Sequence, residues 1–523
     1  LIVTFTRAAT AQMKERIYQA LMSEIDKAPD SDLLKRQALL LPFAKISTID
    51  SFCNDIVREN FHDIDISPDY GILDNSQLAL MCDDAVSRVM DELYKENSPE
   101  FTELVGIMAN GTDDSALTDL ICKLYNDSMA FARPEEFLYG LSCVYHNDIP
   151  LEDHLWGNII IDYAAQSIEY CLMLCEKMYD AGIADPIVGE KYSVGIANNT
   201  AMFEELAKII EHGSWDEIRH AISSASVGSL GRLPNKYSSA QSESVKAQKK
   251  VLSDQLKKLT ALFCASESEN KDDMNYLEPI AEKLIDAVVR YGEILNEEKK
   301  AANSYDFSDI CHFALKLLVS YDKDGKAHKT PLAESFAERF EEILVDEYQD
   351  VNDLQNTLFW AVSKNETNMF TVGDVKQSIY RFRQAMPEIF LQKRKALENF
   401  EGDNYPAKIT LDRNFRSRSG VTENVNFLFS QIMSSYLGSV NYNKNEQLVA
   451  AADYEESNFP EAEMYILGDM EEKVGRESEA QFIADKIHEI ISGGMKVKDK
   501  NGYRKASYRD FCILLRSAGG GKA

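Results

Sequence analysis

The 523-residue sequence has no apolar run of the ~18 residues that a membrane-spanning helix needs, so no membrane role is expected. It shows no signal-peptide pattern. Its nine cysteines include no C-x-x-C pair. Cys171 and Cys175 stand four apart, on one face of a helix, and read as core. Reduced thiols in a cytoplasmic protein are the simple expectation. Positive charge is also short: 56 Lys and Arg stand against 86 Asp and Glu, a net charge of -30. That excludes indiscriminate nucleic-acid binding. It leaves room for a local basic groove. Between 364 and 418 the balance reverses, with Lys376, Arg381, Arg383, Lys393, Arg394, Lys395, Arg413 and Arg416 among the cations. A phosphate-cradling P-loop is missing too. Gly521-Lys522-Ala523 looks like the end of one, but G-x4-G-K-[ST] would need Gly at 516 and Ser or Thr at 523, where the chain has Arg516 and Ala523.

The length suits two to four domains, and an apolar fraction of 45% supports packed cores. The chain opens at Leu1 inside a strand-like run, which reads as a fragment of a longer protein. Its organising stretch is Glu342-Ile343-Leu344-Val345-Asp346-Glu347-Tyr348-Gln349-Asp350. A short apolar run ending in carboxylates predicts a buried parallel strand whose carboxyl end meets a ligand. Asp346 there suits a nucleotide-bound Mg²⁺, a hard cation that takes oxygen ligands alongside phosphate. Glu347 can orient or deprotonate an attacking water. A strand that merely stops at a polar turn would have the same letters.

Four further stretches bear on that choice. Leu1–Thr6 reads as a buried strand, followed by a helix from Arg7 that Thr6 can cap; a helix start facing strand ends suits phosphate. Lys45–Cys53 repeats the strand-to-helix passage, with Phe52 read as core. Met369–Arg383 ends a strand at Gly373-Asp374 and continues through Gln377 into Tyr380-Arg381-Phe382-Arg383. The amide of Gln377 can bond a terminal phosphate or its attacking water. Tyr380 and Phe382 offer faces to bases, where stacking is worth ~1–3 kcal/mol per base, and Arg381 and Arg383 can pair with phosphates. Ile409–Ser417 carries Arg416, whose planar guanidinium can stabilise phosphoryl charge.

Between residues 70 and 300 the pattern is helical and carries no catalytic signature. Helices are expected over 77–94, 115–130, 159–178, 202–212 and 246–263, with a loop at 227–235 and a helix starting at Pro279. Lys246, Lys249, Lys250, Lys257 and Lys258 read as a solvated face before they read as phosphate contacts. Ser308 or Asp309 is the expected cap of the following helix. Beyond 417, strands are expected at 462–467 and 510–516, and an amphipathic helix at 479–491 with Phe482, Ile483, Ile487, Ile490 and Ile491 inward.

Together these strings resemble the UvrD/Rep class of DNA helicases. Val345–Asp350 is similar to its Walker B motif, Met369–Arg383 to motif III and Ile409–Ser417 to motif IV. Phe5–Ile17 is similar to motif Ia, Lys45–Cys53 to motif Ib with Asp50 where the class usually has His, and Tyr305–Ile310 to motif Ic. Within the class the wording is closest to the AddA subunits of bacterial helicase–nucleases.

The resemblance implies an α/β fold: a RecA-like parallel-sheet motor domain (1–70 and 300–405), an all-helical insertion (71–299) and part of a second RecA-like motor domain (406–523). It implies ATP and Mg²⁺ as cofactors, with Asp346 on the metal, Glu347 on the water, and Gln377 and Arg416 on the γ-phosphate. Phe5, Thr6, Arg7, Phe307, Tyr380, Arg381, Phe382 and Arg383 would contact DNA. The parent would be a 3′-to-5′ translocase and helicase with a C-terminal nuclease, acting on single- and double-stranded DNA in break repair and recombination, beside an AddB-like partner subunit. Without a P-loop the 523 residues alone are not expected to hydrolyse ATP. Three alternatives stay open: a plain UvrD-type helicase, a RecB-type subunit, or a non-hydrolysing DNA-binding or docking module.

Overall fold

The structure, a computed structural model, describes all residues except 110, 112, 469–474, 500–501 and 516–523. The chain divides into two units, one of residues 1–341 with 352–366, the other of 342–351 with 367–523.

The first unit begins with β1 (Ile2–Thr4), α1 (Arg7–Lys27), α2 (Asp32–Leu40), β2 (Ile46–Thr48) and α3 (Ile49–Glu59). β1 and β2 pair in parallel, Ile2 opposite Ile46. α3 buries Ile49, Phe52, Cys53, Ile56 and Val57, the i, i+3, i+4 face of an amphipathic helix. Phe52 is core, as expected, its ring 6.2 Å from both Phe336 and Phe340.

A short parallel pair, β3 (Gly71–Ile72) with β4 (Ser304–Tyr305), brackets the helical block. The block holds α4 (Asn75–Glu96), α5 (Pro99–Met108), α6 (Ser115–Ser128), α7 (Pro134–Ser142), α8 (Leu155–Ala184), α9 (Pro186–His212), α10 (Trp215–Ser224), α11 (Ala240–Leu262) and α12 (Glu267–Ala301). The helical reading of this block holds, and the 227–235 loop is present. Two cores fill it. One joins Val89, Leu117, Ile121 and Val288. The other joins Ile168, Phe203, Trp215, Leu252 and Met274 and includes Cys171 and Cys175, both buried as expected. Lys246 and Lys257 pair with Glu243 and Asp254 of their own helix, at 2.8 and 4.0 Å, as a solvated face does.

Pro279 does not start a helix; it lies inside α12, which is capped by Ser266 with Glu269 in a capping box. Proline in a helix interior costs ~3 kcal/mol, and tertiary burial overrides it. Met274 on one side of the proline is buried in one core, Ile280 on the other side in the second. The unit closes with α13 (Phe307–Leu318), the hairpin β5 (Val319–Tyr321) and β6 (Ala327–Lys329), α14 (Pro331–Arg339) and α15 (Asp353–Val362).

In the second unit, β7 (Ile343–Val345) and β8 (Met369–Thr371) pair in parallel. They are followed by α16 (Pro387–Ala396) and two parallel two-residue ladders: β9 (Glu398–Asn399) with β10 (Ala407–Lys408), and β11 (Arg413–Asn414) with β12 (Val449–Ala450). Between and after them lie α17 (Ser419–Ile432), α18 (Ser435–Gly438), α19 (Arg476–Ser492) and an antiparallel pair, β13 (Lys496–Asp499) with β14 (Gly502–Lys505). α19 turns Phe482, Ile483, Ile487, Ile490 and Ile491 to its partly buried side.

The strands expected at 462–467 and 510–516 are absent among the described residues. Both are apolar runs without a ladder partner, and a strand is defined by its neighbour's hydrogen bonds. Leu514 is left 90% exposed. Arg516 and the P-loop-like tail lie outside the described residues. The α/β class with parallel strand pairing is as expected. Among the described residues, no helix is long and apolar enough to cross a membrane.

Candidate functional site

The apolar run 343–345 is buried on one face, with Ile343 and Val345 inward and Leu344 37% exposed, so the strand is not the fully buried one its letters predict. The chain turns sharply where the carboxylates begin. Asp346 is half-buried and accepts the Glu347 N–H at 3.0 Å. Glu347 is exposed and left-handed, with φ 52° and ψ 41°. A non-glycine residue held there stores ~1–3 kcal/mol of strain, which persists only where neighbours over-determine it. Tyr348 and Gln349 are those neighbours, both essentially fully buried. The Tyr348 N–H donates to Val372 O at 2.8 Å. Gln349 Nε2 donates to Glu347 Oε2 at 2.7 Å, and Gln349 Oε1 accepts the Asp374 N–H at 3.0 Å. One buried amide therefore joins the two motif strings. Gly373 permits this approach, since a Cβ there would stand 2.6 Å from Gln349 Oε1.

Asp374 organises the next turn. Its carboxylate accepts the Lys376 N–H at 3.1 Å, Lys376 Nζ at 2.8 Å and Gln377 Nε2 at 3.0 Å. Burial pushes the Asp374 carboxyl up, but the Lys376 and Gln377 donors outweigh it and hold the group below the usual carboxylate range. Asp350, by contrast, is pushed up by burial, with Glu347 adding to the rise. Gln377 is exposed, so its amide can exchange Asp374 for a ligand.

Tyr380 and Phe382 lie 5.8 Å apart and are exposed, Phe382 to 74%. The Arg383 guanidinium lies over both rings, at 5.3 and 5.8 Å. Arg381 is paired with Glu388. Arg416 is exposed in a turn built by Asn414, whose Oδ1 accepts the N–H groups of Arg416 and Ser417 at 3.0 and 2.8 Å.

In the first unit, Thr6 caps α1 as expected, its hydroxyl accepting the Ala9 N–H at 3.1 Å. Phe5 is half-buried and Arg7 exposed at the helix start. Arg7 lines an open cleft of about 420 Å³ with Thr10, Lys14, Lys45, Thr48 and Ser51. Three cations meet one acid there, Asp55, which pairs with Lys45 at 2.6 Å. Burial pushes the Asp50 carboxyl up, opposed by Arg7. Phe307 is 46% exposed at the first position of α13. The cap of α13 is Asp306, with Asp309 completing its capping box, rather than Ser308 or Asp309. The Asp306 side chain reaches the helix N–H groups because its own backbone is extended, at φ -88° and ψ 176°.

The structure thus brings Glu347 and Gln377 into one network through Gln349 and Asp374, and gathers Tyr380, Phe382 and Arg383 into one cluster. Gln349 and Asp374 were not singled out from the sequence. Their signal was there, since both are polar residues beside the motif carboxylates, but which amide reaches which carboxylate is a tertiary fact.

Residues 1–398 match the family model described as the UvrD/REP helicase N-terminal domain. The chain belongs to the UvrD/REP helicase family. Curated relatives agree with the placing. The chain is 34% identical to the A subunit of the ATP-dependent helicase/nuclease of Geobacillus kaustophilus, over 99% of its own length and 43% of the relative's. The same-named proteins of Bacillus pumilus and Clostridium acetobutylicum are 32% and 31% identical, over 99% of this chain and 43% and 44% of theirs. The chain therefore spans less than half the length of the curated relatives it matches. The helicase–nuclease resemblance drawn from the motif strings is the one these relatives carry.

Proposed function

We propose that the whole protein is an ATP-driven 3′-to-5′ DNA translocase and helicase, the AddA-type component of a helicase–nuclease that works beside an AddB-like partner in break repair and recombination. Residues 1–70 with 300–405 form its first motor domain, 71–299 the helical insertion and 406–523 part of the second. The observation that carries this reading is the unbroken polar chain Glu347–Gln349–Asp374–Gln377, which links a water-activating carboxylate to an exposed amide.

Asp346 fits a phosphate-borne Mg²⁺. Among the described residues no cluster of three or more ligating side chains could cage a metal, and Mg²⁺ on a nucleotide needs only one or two carboxylates beside its phosphates and waters. When bound, the ion neutralises phosphate charge. Asp346 would hold it and Glu347 would take the proton of the attacking water. Gln377 would turn from Asp374 to the γ-phosphate, and Arg416 would balance the same charge. The exposed rings of Tyr380 and Phe382 would stack on bases of single-stranded DNA, flanked by Arg381 and Arg383. Phe5, Thr6, Arg7 and Phe307 would follow the strand on the first motor domain. The G-x4-G-K-[ST] pattern does not occur in the 523 residues, so these alone are expected to turn over no ATP.

The test is ATP turnover by the whole protein with its partner subunit, with and without single-stranded DNA, beside Glu347→Gln. DNA-stimulated turnover that falls ~10²–10⁴-fold in the variant is the expected result. A variant as fast as the wild type, or a wild type that turns over no ATP, would overturn the reading.

A further inference from the structure

Glu446 lies beyond α17, 70 positions after Lys376. It is only 8% exposed. A carboxylate that far from water is costly unless both oxygens are served. Both are: Oε2 accepts from Lys376 Nζ at 3.2 Å, and Oε1 from the Arg394 guanidinium of α16. Burial pushes the Glu446 carboxyl up, and Arg394 and Lys376 bring it below its ordinary value. Lys376 is not wholly committed to Glu446, because the same Nζ lies 2.8 Å from Asp374 Oδ1. One ammonium is therefore shared by two carboxylates. Asp374 is the one that also holds Gln377 and, through Gln349, reaches Glu347.

We propose that Lys376 and Glu446 are positioning residues that carry the state of the nucleotide site, sensed by Gln377, to the segment around residue 446 through this shared ammonium. The proposal rests on the ATP reading above. Its direction follows from the donors. When Gln377 leaves Asp374 for a terminal phosphate, Asp374 loses a donor and draws harder on Lys376. The longer contact, to Glu446, gives first. Arg394 keeps Glu446 paired meanwhile, so the tie can slacken without leaving a lone buried charge. An ammonium shared between two carboxylates can be drawn toward either, and elements with two such arrangements are what carry coupling between sites. The sites it joins lie on strings that the sequence separates by the helices α16, α17 and α18.

The experiment uses the whole protein with its partner subunit. ATP turnover is measured with and without a single-stranded oligonucleotide, together with KM for ATP and thermal melting, for the wild type, Glu446→Gln, Lys376→Met and Lys376→Arg. Stimulation of kcat by DNA is expected to fall about ten-fold in Glu446→Gln and in Lys376→Met, within the range of ordinary coupling between sites. KM for ATP should stay within about two-fold, well below that loss. Lys376→Arg, which can still serve two carboxylates, should recover most of the stimulation. Unchanged stimulation in both charge-removing variants overturns the proposal. So does a loss that merely tracks a lowered melting temperature and is not rescued by arginine. A wild type without ATP turnover would instead remove the nucleotide reading, and the relay with it, before any variant is compared.

Discussion

Lys299 and Lys376 each hold two aspartate or glutamate carboxylates, and they do it in opposite ways. Lys299, at the end of α12, is 1% exposed, with Nζ 2.8 Å from both Asp306 and Asp309. Its acids are 7 and 10 positions away and form one capping box on α13. Lys376 is 20% exposed, holds Asp374 at 2.8 Å and Glu446 at 3.2 Å, and shares Glu446 with Arg394. The first cluster is local, closed and equidistant, so no exchange of partners is open to it. The second is long-range, partly wet and unequal, and has a spare cation. The same three charges make a clamp in one setting and a movable tie in the other. What differs is burial and the number of partners, not chemistry.

The sharpest way to break that comparison is Lys299→Met. It leaves the buried Asp309 and the half-buried Asp306 without their cation, and removing one partner from such a cluster costs ~3–5 kcal/mol. Urea unfolding of the variant should show that loss. Adding Asp309→Leu should recover part of it, because the more buried of the two acids leaves with its cation, while Asp306 stays and its N–H loses Asp309 as acceptor. Lys376→Met should cost less, ~1–2 kcal/mol, in the same assay, since Arg394 still pairs with Glu446 and Asp374 keeps the Gln377 donor and some contact with water. Equal losses at the two sites would erase the distinction between clamp and tie.

The clamp also shows what was legible in the sequence. The strings 1–17, 45–53, 343–350 and 369–383 announced their local structure, because strand, cap and turn are written in neighbouring residues. Thr6 caps its helix and Phe52 is core for reasons visible within a few positions. The cap of α13 is Asp306, two and three positions before the expected Ser308 or Asp309, since all three are good caps and only backbone geometry chooses. Pro279 misled because its penalty is local while its compensation, burial of Met274 and Ile280 in two separate cores, is not. The strand readings at 462–467 and 510–516 failed for the same reason: apolar letters describe a strand's faces and say nothing of its edges. Gln349 is visible beside the motif carboxylates but its partner is not, and Glu446 has no local signal at all, because each acts through a partner 25 or 70 positions away.

A smaller perturbation sharpens the comparison without removing any charge. Gly373→Ala would put a Cβ 2.6 Å from Gln349 Oε1 and 3.2 Å from the backbone nitrogens of Tyr348 and Gln349. The buried amide cannot swing into solvent, so β8 and the turn after β7 must separate. Overpacking of this kind costs ~1–3 kcal/mol. The expected signature is faster hydrogen exchange at the amides of Tyr348 and Asp374, with no change at Asp309. Exchange that rises equally at all three would mean general loosening, and the link through Gln349 would lose its standing as a separate element.

The finest discrimination is the sign of the pH dependence. Burial next to Asp306 pushes the Asp309 carboxyl above its ordinary value, because the cluster has two acids for one ammonium. A raised native pKa means that the folded state binds a proton which the unfolded state has released, so this contribution grows as pH falls through the native value. Glu446 and Asp374 are depressed, so theirs is complete above the ordinary carboxylate range and is lost as pH falls through their native values. Urea unfolding from about pH 7 down to about pH 2.5, spanning the raised, ordinary and depressed carboxylate values, separates the two. Asp309→Asn should lose stability more steeply on acidification than the wild type, and Glu446→Gln less steeply, each by at most ~1.4 kcal/mol per pH unit for a single proton. If both variants shift the slope the same way, the two clusters titrate alike, and the contrast between an over-filled clamp and a balanced tie is wrong at its electrostatic root.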